Sequence, residues 1–257
     1  PAPRGELNLD KLVVTPPGAE QPVLKGLSMA IAPGETLAVV GPSAAGKSTL
    51  VRALLGLYRP TTGTVRLDGA ELDQWDRETL GRYIGYLPQD VELLDGTVSE
   101  NISRFGAIDA DKVVAAAQAA GVHTMILHLP EGYDTRLIGN MLSAGQRQRI
   151  GIARALYDEP RVIVLDEPNS NLDQDGEAAL TRTLAALKNA GRTVVVVTHR
   201  TNVLSQADKI LLMAEGQIAM YGPRDKVLAT LQQAATRATA SVTPHPAALA
   251  QSGSQAE

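Results

Sequence analysis

The chain has 257 residues, with 24 basic and 28 acidic side chains for a formal charge of −4, and it contains no cysteine. A hydrophobic fraction of 44% with only 3% aromatic and 20% charged residues requires an aliphatic core and excludes a wholly disordered chain. The missing cysteine excludes a disulfide scaffold, a thiolate zinc site and a cysteine nucleophile, and the acidic balance argues against nucleic acid bound through a basic surface. The length suits one large α/β domain or two small ones.

Pro1 is not followed by a basic region and an apolar run, so no signal peptide is expected. The most apolar stretches are strand-length, far short of the roughly 20 residues that span a membrane, and the isolated chain is expected to be soluble. Residues 7–34 read as short strands, broken by Pro16-Pro17-Gly18 and closed by Pro33-Gly34. Residues 36–40 (TLAVV) predict a buried strand, followed by a Gly-bounded loop and a helix over 48–55. Residues 64–67 and 84–87 suggest further strands.

The character then changes. Residues 111–120 (DKVVAAAQAA) favour helix strongly, and an inserted helical subdomain is expected over about 101–155. The α/β alternation returns with a strand at 162–165, a helix at 176–188 and a strand at 193–197. A hairpin around Glu215-Gly216 and a helix over 225–235 follow, and 236–257 has the composition of a disordered tail. The expected domain is therefore 1–235, with no internal repeat.

Chemistry enters at Gly41, Pro42, Ser43, Ala44, Ala45, Gly46, Lys47 and Ser48, which fit the phosphate-binding pattern G-x-x-x-x-G-K-[ST] between a strand and a helix. Glycines let successive N–H groups converge on phosphate oxygens at a helix N-terminus, which extends the candidate site to Thr49. Lys47 offers a point charge to the β- and γ-phosphates, and Ser48 a hard oxygen for Mg²⁺. Asp166 and Glu167 close the all-aliphatic run 162–165, which in a parallel sheet places them beside that loop. Asp166 would support the metal shell, while Glu167 would orient or deprotonate the attacking water.

A second anion site lies at Leu142-Ser143-Ala144-Gly145-Gln146-Arg147-Gln148-Arg149, where small residues open another helix. One nucleotide needs no second clamp so far along the chain. The order of phosphate loop, LSAGQRQR and Val-Leu-Asp-Glu-Pro resembles the ATP-binding cassette family, whose signature is LSGGQ. The resemblance implies a P-loop NTPase (RecA-like) core with an antiparallel β subdomain and an inserted helical signature subdomain. It also implies ATP and Mg²⁺, and a head-to-tail pair of cassettes in which Ser143, Ala144, Gly145 and Gln146 of one copy clamp the nucleotide of the other. On the same footing Gln89 matches the glutamine that contacts Mg²⁺ and water, Asp173 the loop that crosses the dimer interface, and His199 the switch histidine at the γ-phosphate.

Asp95-Gly-Thr-Val-Ser-Glu-Asn-Ile102 and Asp166-Glu-Pro-Asn-Ser-Asn-Leu-Asp173 look like bacterial type I secretion ATPases of the protease-exporter kind. That likeness implies a membrane domain upstream, a periplasmic adaptor, an outer-membrane channel and a place at the cytoplasmic face of the inner membrane. Three departures stand out. Pro16 falls where most cassettes stack an aromatic ring on adenine, Ala144 replaces the first signature glycine, and 134–142 is short for an exporter. Ala144 is tolerable only with φ below zero. The competing readings are a cassette ATPase acting on nucleic acid or ribosomes, and a regulatory module that binds ATP without turnover.

Overall fold

The computed structural model describes residues 2–139 and 141–240. The chain opens with an antiparallel pair, β1 (Leu7–Val14) and β2 (Leu24–Ile31), whose Leu7, Leu9, Leu12 and Val14 point inward. An irregularity at Lys11, where φ is 46°, lets both halves of β1 keep their apolar side chains on the core face. Next come β3 (Thr36–Val40), α1 (Lys47–Leu54), β4 (Thr62–Leu67), which pairs with the other edge of β1, and the short β5 (Ala70–Glu71). Helix α2 (Arg77–Tyr83) leads into β6 (Ile84–Leu87).

The helical insertion holds β7 (Gly96–Thr97), α3 (Val98–Ile102), α4 (Ala110–Ala119), α5 (His123–Leu127), β8 (Arg136–Leu137) and α6 (Ala144–Leu156). β7 and β8 pair as a small antiparallel ribbon. Alternation resumes with β9 (Val162–Asp166), α7 (Gln174–Asn189), β10 (Thr193–Val197) and the single-turn α8 (Thr201–Leu204). The hairpin of β11 (Lys209–Ala214) and β12 (Gln217–Pro223) and the helix α9 (Arg224–Ala240) complete the described chain.

The main sheet has the order β12-β11-β3-β10-β9-β6, parallel throughout except for β12. Every residue of β9 and β10 is buried, which is why both read as unbroken aliphatic runs rather than as alternating ones. Their side chains still alternate between two cores. Ala38, Ile163, Leu165, Val194 and Val196 face the core that includes Ile150 of α6 and Leu180 of α7. Leu37, Val39, Val162, Val164, Val195 and Val197 face the core that includes Leu50 and Leu54 of α1 and the Leu residues of β1. Full burial of each such Val, Leu or Ile side chain contributes about 1.5–3 kcal/mol, so the sheet contributes to both cores at once.

The aliphatic runs at 36–40, 84–87, 162–165 and 193–197 all form the expected strands. Short elements escaped the sequence pattern: α2, α5, α8 and the β7–β8 ribbon are each too brief for a periodicity to show. The first helix of the insertion, α3, starts at Val98, where Thr97 and Glu100 form a reciprocal capping box. The last helix runs through 236–240, where a disordered tail is expected to begin, since that Ala-rich stretch favours helix. The remainder of the expected tail, 241–257, lies outside the described residues. Among the described residues no helix is long and apolar enough to cross a membrane.

Ile163 sits at the centre of β9 with no exposed surface. Ile163→Ala should lower the free energy of unfolding by about 2–5 kcal/mol in urea titrations, and a loss below about 1 kcal/mol would place it outside a close-packed core.

Candidate functional site

Four loops leave the carboxyl ends of β3, β10, β9 and β6, which lie side by side in the sheet. The register aligns those ends: Val197 pairs with Val39 and Asp166, and Leu87 with Leu165. Residues far apart in the chain, Gly41 to Thr49, Thr198-His199, Asp166-Glu167 and Gln89, are thereby gathered at one edge. Such an edge is where ligands bind in open α/β sheets.

The phosphate loop folds as its sequence requires. Gly41 has φ of 153°, and a Cβ there would lie 2.4 Å from the Met213 carbonyl oxygen. Gly46, in the left-handed region, is the N-cap of α1 and brings no side-chain acceptor to the first amides of the helix. Those amides are the donors that an anion would satisfy. Lys47 Nζ folds back over the loop and donates to the carbonyls of Gly41 (2.7 Å) and Pro42 (2.8 Å), which keeps its charge at the loop mouth. Pro42, Ser43, Ala44 and Ser48 are exposed, whereas Ala45 and Thr49 are buried beneath them.

Asp166 is 5% exposed at the end of β9. Burial first, then the neighbouring Glu167 charge, push its carboxyl above the ordinary value, against the opposing pull of Arg52 and Lys47. Glu167 adopts φ of 49°, a left-handed conformation that costs a non-glycine residue about 1 kcal/mol or more. His199 Nδ1 lies 3.3 Å from Glu167 Oε1 and 3.2 Å from Oε2. Only the contact to Oε1 has hydrogen-bond geometry, so Oε2 is buried without a partner. The structure therefore pairs the expected switch histidine with the expected water-orienting carboxylate. Gln89 is exposed in the turn directly after β6.

Ser143 is the N-cap of α6, and its Oγ accepts from Gln146 N (3.1 Å) while Gln146 Oε1 accepts from Ser143 N (2.8 Å). Ala144 is the first helical residue, so its methyl meets no left-handed strain and the departure from glycine is harmless to the backbone. Gly145 is different: a Cβ there would lie 2.8 Å from the Asn171 carbonyl oxygen. The close approach of the 167–173 loop demands glycine at this position. That loop ends at Asp173, the N-cap of α7, which accepts from Gly176 N and pairs with Arg149 of α6. The Gly176 amide first, then Arg149, hold the Asp173 carboxyl below its usual range.

The two helices that open at the expected phosphate sites lie on opposite faces of the main sheet, α1 on one and α6 on the other, with β3, β10 and β9 between them. Three further residues reach this region without a sequence signal that singled them out: Gln148, Asn169 and Thr198, all buried. The available clue was a polar Gln148 sharing the apolar face of α6 with Ile152, four residues on.

A family model described as ABC transporter matches residues 24–170, more than half of the chain, and the chain belongs to that family. It has the fold of the family's ATPase domain and, as such a domain, binds ATP. Among its relatives is the type I secretion system ATP-binding protein PrsD of Rhizobium meliloti, 49% identical over 232 residues, covering 89% of this chain and 40% of the relative. The cyclolysin secretion/processing ATP-binding protein CyaB of Bordetella pertussis is 42% identical over 233 residues, covering 89% of this chain and 32% of the relative. An ATP-bound bacterial Atm1-family ABC exporter superposes with a TM-score of 0.83 at 31% identity, covering 95% of this chain and 43% of that one. The chain thus spans less than half the length of these relatives.

A carboxyl whose folded pKa is raised binds protons more readily folded than unfolded, so stability falls as pH rises above the ordinary value near 3.8. Asp166→Asn should therefore raise the melting temperature at neutral pH, by an increment that shrinks as the pH is lowered towards 4. Scanning calorimetry of both proteins across that range checks this; an increment that grows on acidification would show that Asp166 is not strained by burial.

Proposed function

We propose that this chain is the ATP-hydrolysing motor of an ABC exporter and that it works as a head-to-tail pair. The observation that carries the reading is the placement of α1 and α6 on opposite faces of the sheet, which supports a nucleotide seated on the phosphate loop of one copy and completed by the α6 end of another. ATP would lie on the amides of 41–49 with Lys47 at its terminal phosphates. Ser143, Ala144, Gly145 and Gln146 of the second copy would close over it, with Asp173 at the interface.

The donor set for a metal fits a hard divalent cation. Ser48 offers an exposed hydroxyl, Asp166 a carboxylate whose raised pKa a nearby cation would relieve, and Gln89 an amide oxygen. Among the described residues there is no group of three acidic or imidazole ligands, so nucleotide phosphates and water would complete the shell. Mg²⁺ bound there would neutralise charge on the β- and γ-phosphates. Glu167, with one oxygen free of hydrogen bonds, would orient and deprotonate the attacking water. His199, now on Glu167, would turn towards the γ-phosphate when nucleotide enters. Positioning and charge neutralisation supply most of the catalysis in such sites.

Likeness to PrsD and CyaB supports type I secretion of a polypeptide as the coupled work. That reading includes a membrane domain in the same longer protein, a periplasmic adaptor, an outer-membrane channel and a place at the cytoplasmic face of the bacterial inner membrane. The nucleic-acid alternative is not favoured, since these relatives carry the names of secretion proteins. A regulatory module without turnover is disfavoured by the intact set of Lys47, Asp166, Glu167 and His199.

ATP turnover should rise faster than linearly with protein concentration and stop on chelation of Mg²⁺. Glu167→Gln should lower kcat by roughly 100-fold or more while keeping ATP-driven pairing in light scattering. Linear turnover from a proven monomer would rule out the shared site.

A further inference from the structure

Gln148 is a polar residue with no exposed surface on the inward face of α6. Its Nε2 donates to the carbonyl oxygens of Pro168 (3.1 Å) and Glu167 (3.4 Å), the two peptides that follow the left-handed Glu167. Its Oε1 is buried and has no hydrogen bond. The next residue of that turn, Asn169, is equally buried, with Oδ1 accepting from Thr198 Oγ1 (3.2 Å) and Nδ2 without a partner. Thr198 N in turn donates to Val39 O (3.2 Å), at the strand that leads into the phosphate loop.

A continuous line of buried polar groups therefore runs from α6, through the Glu167–Asn169 turn, to the ends of β10 and β3. Stability alone does not account for it. Two of its polar atoms are left unbonded, and a buried orphan is a net cost that an apolar side chain of similar volume would remove. What the glutamine supplies is geometry. Rotation about the Glu167 or Pro168 backbone would swing the Glu167 carboxylate, and the two Gln148 bonds fix the carbonyls on which that rotation depends.

We propose that Gln148 is a positioning residue for Glu167, tying the carboxylate that serves one nucleotide to the helix whose N-terminus serves the other. The inference rests on the paired-motor reading above. When the Ser143 end of α6 engages the phosphates held by a second copy, Gln148 carries that shift to the turn bearing Glu167. The carboxylate then reaches its working position only when both nucleotides are in place, and the two sites fire cooperatively.

The test is steady-state ATP hydrolysis by the 257-residue chain and its Gln148→Met and Gln148→Glu variants, with thermal unfolding of each. Gln148→Met should lose roughly tenfold or more in kcat, keep its KM for ATP within about threefold, and show a Hill coefficient reduced to about one. Its melting temperature should equal or exceed that of the parent. Gln148→Glu turns the donor into an acceptor facing two carbonyls, so its activity relative to the parent should rise as the pH is lowered and the new carboxyl gains a proton. Parent-like kcat and Hill coefficient in both variants would overturn the assignment. So would an effect on KM alone, or a kcat loss that merely tracks the fraction unfolded. If the parent itself fails to turn over ATP, or does so linearly with concentration, the motor reading falls and takes this inference with it. Cooperative turnover by the parent that neither variant disturbs removes only the role of Gln148.

Discussion

The structure depends on a parallel sheet buried on both faces. Once β9 and β10 are covered by apolar packing above and below, no polar group can be used along their length, and chemistry is confined to their ends. All the carboxyl ends point one way in a parallel sheet, so the loops that follow them converge without further instruction. Asp166, Thr198 and the phosphate loop lie within one strand spacing of their neighbours because Val39, Val197 and Asp166 are in register. The same coverage places α1 on one face of the sheet and α6 on the other.

The site carries costs that the rest of the fold offsets. Asp166 is a buried carboxyl pushed above its ordinary range, Glu167 holds a left-handed backbone, and buried oxygen or nitrogen atoms of Glu167, Gln148 and Asn169 lack partners. The left-handed backbone and each unpartnered buried atom cost about 1 kcal/mol or more, set against a sheet in which many side chains contribute about 1.5–3 kcal/mol apiece. Three unbonded buried side-chain atoms fall in this one neighbourhood, at Gln148, Glu167 and Asn169, with others at Thr36, Thr64 and Trp75, and here they adjoin the expected catalytic carboxylate. A cation beside Asp166 would relieve the cost of burying its charge, as Arg52 and Lys47 already do in part.

The signature end illustrates how one residue pattern serves two purposes. Ser143 and Gln146 satisfy each other's backbone amides in the isolated chain, so the helix is stable before any phosphate arrives. Gly145, a residue of the expected anion site, is required here by the carbonyl of Asn171. The glycine of the signature thus brings α6 against the loop that carries Asp173, and the Arg149 pair to Asp173 fastens the same contact. Ala144 is exposed at the first helical position, where a methyl is accommodated, whereas the next position is held to glycine by the Asn171 carbonyl.

How much was legible in the residues divides along sequence separation. The strands at 36–40, 162–166 and 193–197 and the phosphate loop between β3 and α1 are written locally: aliphatic runs in the strands, and in the loop a glycine at each end and hydrogen bonds that close within a few residues. Their order along the chain sufficed to state the fold and the nucleotide class. The pairing of His199 with Glu167, the burial of Gln148 against Pro168 and the meeting of Gly145 with Asn171 join residues that are 32, 20 and 26 positions apart. No periodicity encodes such contacts, because they arise only when strands take their register and helices their face. Whether α1 and α6 share a side of the sheet was likewise undecided until the chain folded, since a connection between parallel strands can cover either face.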